Sequence, residues 1–244
     1  AGSIILSSKR KILIDTLFGT SFINLESNGW GGKFGSRLEK NYSNGFYIKG
    51  NFTGKRYGDF NTPNYILSNT GFKEADFSIR FGKDLVSKGW NLKYSNYNLE
   101  PGILKASHIG NVQDLFFAIN SNEPSIINDF TYDIEAPNQR ASHQRLTFKY
   151  FRYLKNGVKF DFGYNYQNNK RKEFDIRRGG RTNIPVVDLL LKTHNFMIGI
   201  LNLKRKNWDF EFGYNGLIQD NYSTPDTGVK RLIPDYIKFE NGIY

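Results

Sequence analysis

Residues 158–167 read Val158-Lys159-Phe160-Asp161-Phe162-Gly163-Tyr164-Asn165-Tyr166-Gln167, with an apolar or aromatic residue at every even position and a polar residue or glycine at every odd one. Side chains alternate across a β-strand with period two. Val158, Phe160, Phe162, Tyr164 and Tyr166 therefore share one face, and Lys159, Asp161, Gly163, Asn165 and Gln167 share the other. The stretch predicts a strand with one apolar and one wet face.

The same alternation recurs along the chain. It predicts strands near 12–27, 32–40, 45–57, 73–83, 90–98, 143–154, 158–167, 192–204 and 208–219, with a tenth opening near 237. Helical periodicity is not sustained anywhere, and the one helical candidate is a turn at Asp114–Asn120. The expected fold class is all-β.

The connections choose among β architectures. After the first pair, short and long segments alternate: 41–44 is short and 58–72 long, 84–89 short and 99–142 long. The rhythm continues with 155–157 short, 168–191 long, 205–207 short and 220–236 long. Short segments rich in Asn, Gly and Lys are hairpin turns. Successive antiparallel strands put successive turns at opposite ends, so the short turns gather at one end and the long loops at the other. Outer-membrane barrels have this asymmetry, with tight periplasmic turns and extended external loops. Strand lengths fit the roughly 9–11 residues of a tilted membrane strand. Trp90 and Trp208 each follow a short turn, where an aromatic girdle at the membrane interface lies. The pattern predicts an antiparallel up-and-down transmembrane β-barrel, of which this chain supplies nine or ten strands. An open edge in lipid leaves backbone groups unpaired, so these strands are expected to belong to a larger barrel.

Composition sets further bounds. The chain has 244 residues, no cysteine, a formal charge of +11 and 16% aromatic residues. Without cysteine there is neither a disulfide framework nor a thiolate metal site. No stretch approaches the ~18 apolar residues of a spanning helix. The basic residues are spread over strand faces and turns rather than gathered in one run, so nucleic acid is not an expected partner.

In order along the chain, several segments resemble the TonB-dependent outer-membrane receptors of Bacteroidetes-type bacteria. Ala1-Gly2-Ser3-Ile4-Ile5-Leu6-Ser7 is similar to the last strand of that family's plug domain. Gly58-Asp59-Phe60-Asn61-Thr62-Pro63-Asn64-Tyr65 and Leu67-Ser68-Asn69-Thr70-Gly71 look like the loop between early barrel strands. His108-Ile109-Gly110-Asn111, Ala118-Ile119-Asn120-Ser121 and Glu173-Phe174-Asp175-Ile176-Arg177-Arg178-Gly179 are similar to later loop and strand signatures. The resemblance implies that residues 1–9 end the plug and residues 10–244 begin a barrel of about 22 strands. It further implies residence in a Gram-negative outer membrane and import of a scarce, bulky ligand with TonB-derived energy. Iron-siderophore complexes, haem, cobalamin and glycans are the ligand classes. The partners it implies are the TonB complex, reached through a plug segment not contained in these residues, the ligand itself, and outer-membrane lipid. A non-transporting outer-membrane barrel, whether adhesin or rim-active enzyme, and a soluble carbohydrate-binding β-sandwich are the alternatives.

Two long segments carry opposite charge. Residues 99–142 hold Glu100, Asp114, Glu123, Asp129, Asp133 and Glu135 against Lys105 and Arg140, a net of −4. Residues 168–192 hold Lys170, Arg171, Lys172, Arg177, Arg178, Arg181 and Lys192 against Glu173, Asp175 and Asp188, a net of +4. Either the two segments neutralise each other, or Arg177, Arg178 and Arg181 present guanidinium forks to an anionic ligand. These arginines, with His108 from the acidic segment, are the candidate ligand-binding residues. No two of His108, His143 and His194 fall at metal-ligand spacing, and Asp129 with Asp133 supplies too few oxygens for calcium. Neither a Gly-x-Ser-x-Gly elbow, a phosphate-cradling glycine loop nor a His-Glu-x-x-His helix occurs. No catalytic activity and no cofactor are expected.

Overall fold

The computed structural model of the chain describes residues 14–107, 110–154, 157–177, 179, 181–205, 207–224, 227, 229–231 and 233–244. The segment read as the end of a plug, residues 1–9, lies outside the described residues. Ten long strands form one antiparallel sheet in chain order: β1 Thr16–Glu26, β2 Gly31–Asn41, β3 Phe46–Tyr57, β6 Phe72–Asp84, β7 Lys88–Pro101, β8 Asn138–Tyr153, β9 Lys159–Phe174, β10 Val187–Arg205, β11 Trp208–Ser223 and β12 Tyr236–Ile243. A ribbon of two short strands, β4 Phe60–Asn61 and β5 Ile66–Leu67, sits in the β3–β6 connection. The one helix described, α1 Val112–Asn120, sits in the β7–β8 connection. Among the described residues no second large sheet packs on the first, which is not the two-layer arrangement of a sandwich.

The turns segregate by length. Residues 42–45, 85–87, 154–158 and 206–207 close hairpins at one end of the sheet. Residues 58–71, 102–137, 175–186 and 224–235 connect strands at the other end, together with the tight turn 27–30. Gly29 and Gly45 hold φ of 78° and 81° in two of the tight turns, a region in which a Cβ is strained.

From β2 to β12 the register carries the period-two pattern, whereas in β1 Phe18 and Phe22 fall on the polar face opposite Glu39 and Gly35. Trp90 lies opposite Tyr150, Tyr150 opposite Phe162, Phe162 opposite Ile198, and Ile198 opposite Tyr214. The next transverse row runs Phe81, Leu92, Phe148, Tyr164, Phe196. These side chains occupy one face and touch ring to ring: Phe148–Phe162 at 6.1 Å, Phe196–Tyr214 at 5.5 Å and Phe77–Tyr94 at 5.7 Å between centroids. In β10 a bulge between Ile200 and Leu203 places one extra residue, with Asn202 at φ 61°. The extra residue keeps Leu203 on the apolar face beside Phe210, where plain alternation would turn it to the other side.

Burial is inverted relative to a water-soluble domain. Among the described residues Tyr57 is the one buried hydrophobic side chain, while Leu38, Phe52, Phe77, Ile198 and Phe212 on the apolar face are exposed. The buried side chains are polar, and Glu39, Asn41, Glu74, Thr193 and Asn221 all belong to the opposite face. That face is knitted by charge and hydrogen bonds. Lys49 reaches Glu39 at 2.7 Å and Lys55 reaches Glu74 at 2.7 Å. Asn51 donates to Ser78 Oγ at 3.1 Å, and Thr147 Oγ donates to Asn165 Oδ1 at 3.0 Å. The two edges, β1 and β12, are exposed along almost their whole length and have no outer partner strand among the described residues.

Several strands run further toward the loop end than alternation predicts. β8 begins at Asn138 rather than 143, β9 continues to Phe174 rather than 167, and β10 begins at Val187 rather than 192. Much of the segment read as an Arg-rich loop is therefore strand: Lys170, Arg171 and Lys172 lie on β9, and Asp188 and Lys192 on β10. The residues of these upper strand ends are polar on both faces or apolar on both, so no alternation marks them.

Candidate functional site

The loop end is a folded surface. Asn69, 4% exposed and at φ 67°, is its centre. Its Nδ2 donates to the carbonyls of Ile103 (2.9 Å), Glu135 (3.1 Å) and Pro137 (2.9 Å), and its Oδ1 accepts from Glu135 N at 2.8 Å. Around it, Asp59 Oδ1 accepts from Thr70 N at 2.9 Å, and Ser68 Oγ accepts from Asn128 N at 2.6 Å. Asp59 N donates to Thr131 O at 3.0 Å, Gly58 N to Gly29 O at 2.8 Å, and the Tyr132 hydroxyl to Trp30 O at 2.5 Å. Arg56 also donates to the Tyr132 carbonyl. The β1–β2 turn, the β3–β6 connection and both arms of the β7–β8 connection thus form one clamped cap. The Gly58–Tyr65 and Leu67–Gly71 stretches singled out in the sequence lie inside it, although Asn69 as its keystone was not foreseen. Its partners are backbone groups remote in sequence, and no side-chain pattern announces them.

In the β7–β8 connection, α1 is capped by Asn111, whose Oδ1 accepts from Asp114 N at 2.9 Å. An Asn at this position satisfies one of the helix's orphan N–H groups. The helix has no buried residue, and Phe116 and Phe117 are exposed. It realises the turn expected at Asp114–Asn120, extended by two residues at its start.

The candidate arginines stand on the β9–β10 connection. Arg177 is half-buried, and its Nη1 donates to the Thr227 carbonyl at 2.8 Å, tying this connection to the one between β11 and β12. Arg181 is exposed and opens a short 3₁₀ turn, Arg181–Asn183. Arg178 and His108 lie outside the described residues. A cleft of about 410 Å³ opens between the loop ends of β9 to β11 and the β11–β12 connection, with Arg171, Asp188, Ser223, Thr227 and Arg231 in its wall. Arg177 is thus placed beside this cleft through its bond to Thr227, which is itself in the wall.

The ion pairs of the two long segments form chiefly inside each segment and leave the net charges of −4 and +4 standing. Arg140 meets Glu100 at 2.8 Å and Lys105 meets Glu135 at 2.6 Å. Lys172 meets Asp188 at 3.2 Å, and Arg171 pairs with Glu173 two residues along the same strand. Among the described residues no ion pair joins the two segments. Contact between them is of another kind: β8 and β9 share a ladder, and the Arg140 guanidinium stacks over the Phe174 ring at 4.9 Å.

The other candidates do not join this cleft. His143 hydrogen-bonds Asn169 Nδ2 at 3.0 Å on the polar face, and His194 Nδ1 lies 2.8 Å from the Tyr164 hydroxyl on the apolar face. No group of three or more His, Cys, Asp or Glu side chains placed to hold a metal ion occurs among the described residues. Trp90 and Trp208 both stand at the tight-turn end of the apolar face, Trp90 edge-on to Phe81 at 6.0 Å and Trp208 70% exposed beside Phe210. Trp30, in the turn 27–30, is exposed at the opposite end. No protein-family model, curated protein or solved structure matches the chain.

Proposed function

We propose that the ten-stranded sheet is part of the wall of an outer-membrane β-barrel, with its apolar face against lipid and its polar face lining an aqueous lumen. Inverted burial carries this reading. A sheet that exposes Leu38, Phe52, Phe77, Ile198 and Phe212 while enclosing Glu39 and Glu74 is stable only if something apolar covers the first set. A bilayer does this for every strand at once, and the ring-to-ring rows form the continuous band it requires. Segregation of tight turns from long connections agrees, as do the tryptophans at the tight-turn rim. Closure needs further strands beside β1 and β12, because an open edge in lipid leaves donors and acceptors unpaired.

Within that barrel the clamped cap and the cleft beside Arg177 are the outward surface that meets a solute. The resemblance to TonB-dependent receptors names the activity: capture of a bulky ligand of the iron-siderophore, haem, cobalamin or glycan class, followed by TonB-energised import. On this reading the protein performs no chemistry on its ligand.

Sedimentation of the purified chain tests the membrane assignment. In detergent it is expected to be dispersed and rich in strand by circular dichroism, and in plain buffer to aggregate. A folded, water-soluble monomer in plain buffer would overturn the assignment.

A further inference from the structure

The polar face holds a row of charges that does not neutralise itself. Glu39, Lys49, Arg80, Lys93 and Thr147 lie directly opposite one another across β2, β3, β6, β7 and β8. Glu39 pairs with Lys49 and is shared with Arg37 on its own strand. Arg80 and Lys93 are left as two cations facing each other across neighbouring strands, an arrangement that destabilises a sheet. Two residues along, Arg145 lies opposite Ser95, and on the other side Lys149 lies opposite Asn91. Arg145 Nε donates to the neutral amide oxygen of Asn165 at 2.5 Å. Among the described residues no carboxylate pairs with Arg80, Lys93, Arg145 or Lys149, and the nearest acid along β6 toward the loop end, Asp76, is four residues from Arg80, about 13 Å at strand rise.

We infer that Arg80, Lys93, Arg145 and Lys149 form a binding site for a small polyvalent anion, a solute carrying two or three adjacent phosphate or carboxylate groups. Dimensions favour a small solute. Strands lie about 4.8 Å apart, so β6, β7 and β8 span about 10 Å, the reach of such a group of charges. Ser78, Gly82, Asn91 and Ser95 lie between these cations, Asp76 and Asp84 close the patch along β6, and Lys49 continues it across β3. Asp76 and Asp84 would repel an extended acidic polypeptide laid along the strands, whereas a compact anion meets all four cations and finds hydroxyl and amide donors between them. Rings of Arg and Lys serve the same purpose in anion-selective pores. The site lies on the sheet's polar face, apart from the cleft beside Arg177, and its access to solute rests on the reading of that face as an aqueous lumen.

Calorimetric titration of inorganic tripolyphosphate into the folded chain at low salt tests the site. The native chain is expected to bind saturably, and more weakly as salt is added. The triple variant Arg80→Gln, Lys93→Gln, Arg145→Gln should bind about tenfold or more weakly, because charge-assisted hydrogen bonds are lost. The control Lys88→Gln, Lys204→Gln, Arg205→Gln removes three exposed charges at the tight-turn end and should bind like the native chain. Without anion, the site variant should also unfold at a higher urea concentration, since like charges no longer face each other. The proposal is overturned by absence of saturable binding to the native chain, by an equal loss in the control, or by a lowered urea midpoint. The titration reads occupancy of the folded chain with or without detergent, so its failure is separable from that of the sedimentation test.

Discussion

Phe162→Arg is expected to prevent stable insertion of the chain into lipid vesicles, while Asn195→Arg is tolerated. Phe162 stands between Tyr150 and Ile198 on the apolar face, in the transverse row that begins at Trp90, with Phe148 at 6.1 Å. An arginine on the lipid face of a barrel costs about 2–4 kcal/mol at the bilayer midplane and about 1 kcal/mol near the interface, and Phe162 lies between these depths. Loss of the aromatic contacts adds about 1 kcal/mol. Against the 5–15 kcal/mol that typically holds a folded protein, this removes a large fraction. Asn195 belongs to the other face, opposite Asn165, where an added guanidinium remains in water. The fraction folded, read from heat-modifiable electrophoretic mobility after refolding into vesicles, should fall sharply for the first variant and stay near native for the second. Equal behaviour of the two would mean that the faces are not in different solvents.

Asn69→Ala should release the cap. The asparagine amide has two N–H donors shared among three carbonyls, and its oxygen holds Glu135 N–H. Removing it leaves several buried backbone groups without partners, a cost of about 3 kcal/mol. It also puts alanine at φ 67°, which asparagine tolerates and alanine does not. Asn69→Gly separates the two effects: it relieves the strain, worth about 1 kcal/mol, but restores none of the bonds. Amide exchange at Glu135 and its neighbours should accelerate about 1000-fold in the alanine variant and about 100-fold in the glycine variant, since local opening free energy sets the rate. Strands β9 and β10 should exchange as before. Unchanged exchange at Glu135 would show that the cap is held elsewhere.

The legible part of the fold is the part whose two faces differ. All ten long strands were foreseen because, between the tight turns and the cap, apolar and polar residues alternate as the pleat does. Where β8, β9 and β10 continue past the band, as in Asn168-Asn169-Lys170-Arg171-Lys172, both faces are wet and the alternation stops while the ladder continues. A reading based on hydrophobic period ends the strand there. Net charge was a poor guide for a related reason. Sums of −4 and +4 suggested pairing between two segments, but strand register brings Arg140 beside Glu100 and Lys172 beside Asp188. Pairing follows geometry, and a segment's sum does not contain it. Tryptophan placement was legible because position relative to a tight turn is a property of sequence. Asn69 was not, because what it holds is backbone, 34 to 68 residues away.

One face of this sheet meets lipid and the other water, and on β9 the difference is simplest to measure. Single spin labels placed in turn at positions 160 to 167 of the vesicle-reconstituted chain can be probed with oxygen, which partitions into lipid, and with a water-soluble nickel chelate. Period-two alternation is expected: labels replacing Phe160, Phe162, Tyr164 and Tyr166 respond to oxygen, and those replacing Asp161, Gly163, Asn165 and Gln167 respond to nickel. Equal access of the nickel reagent to all eight positions would contradict it.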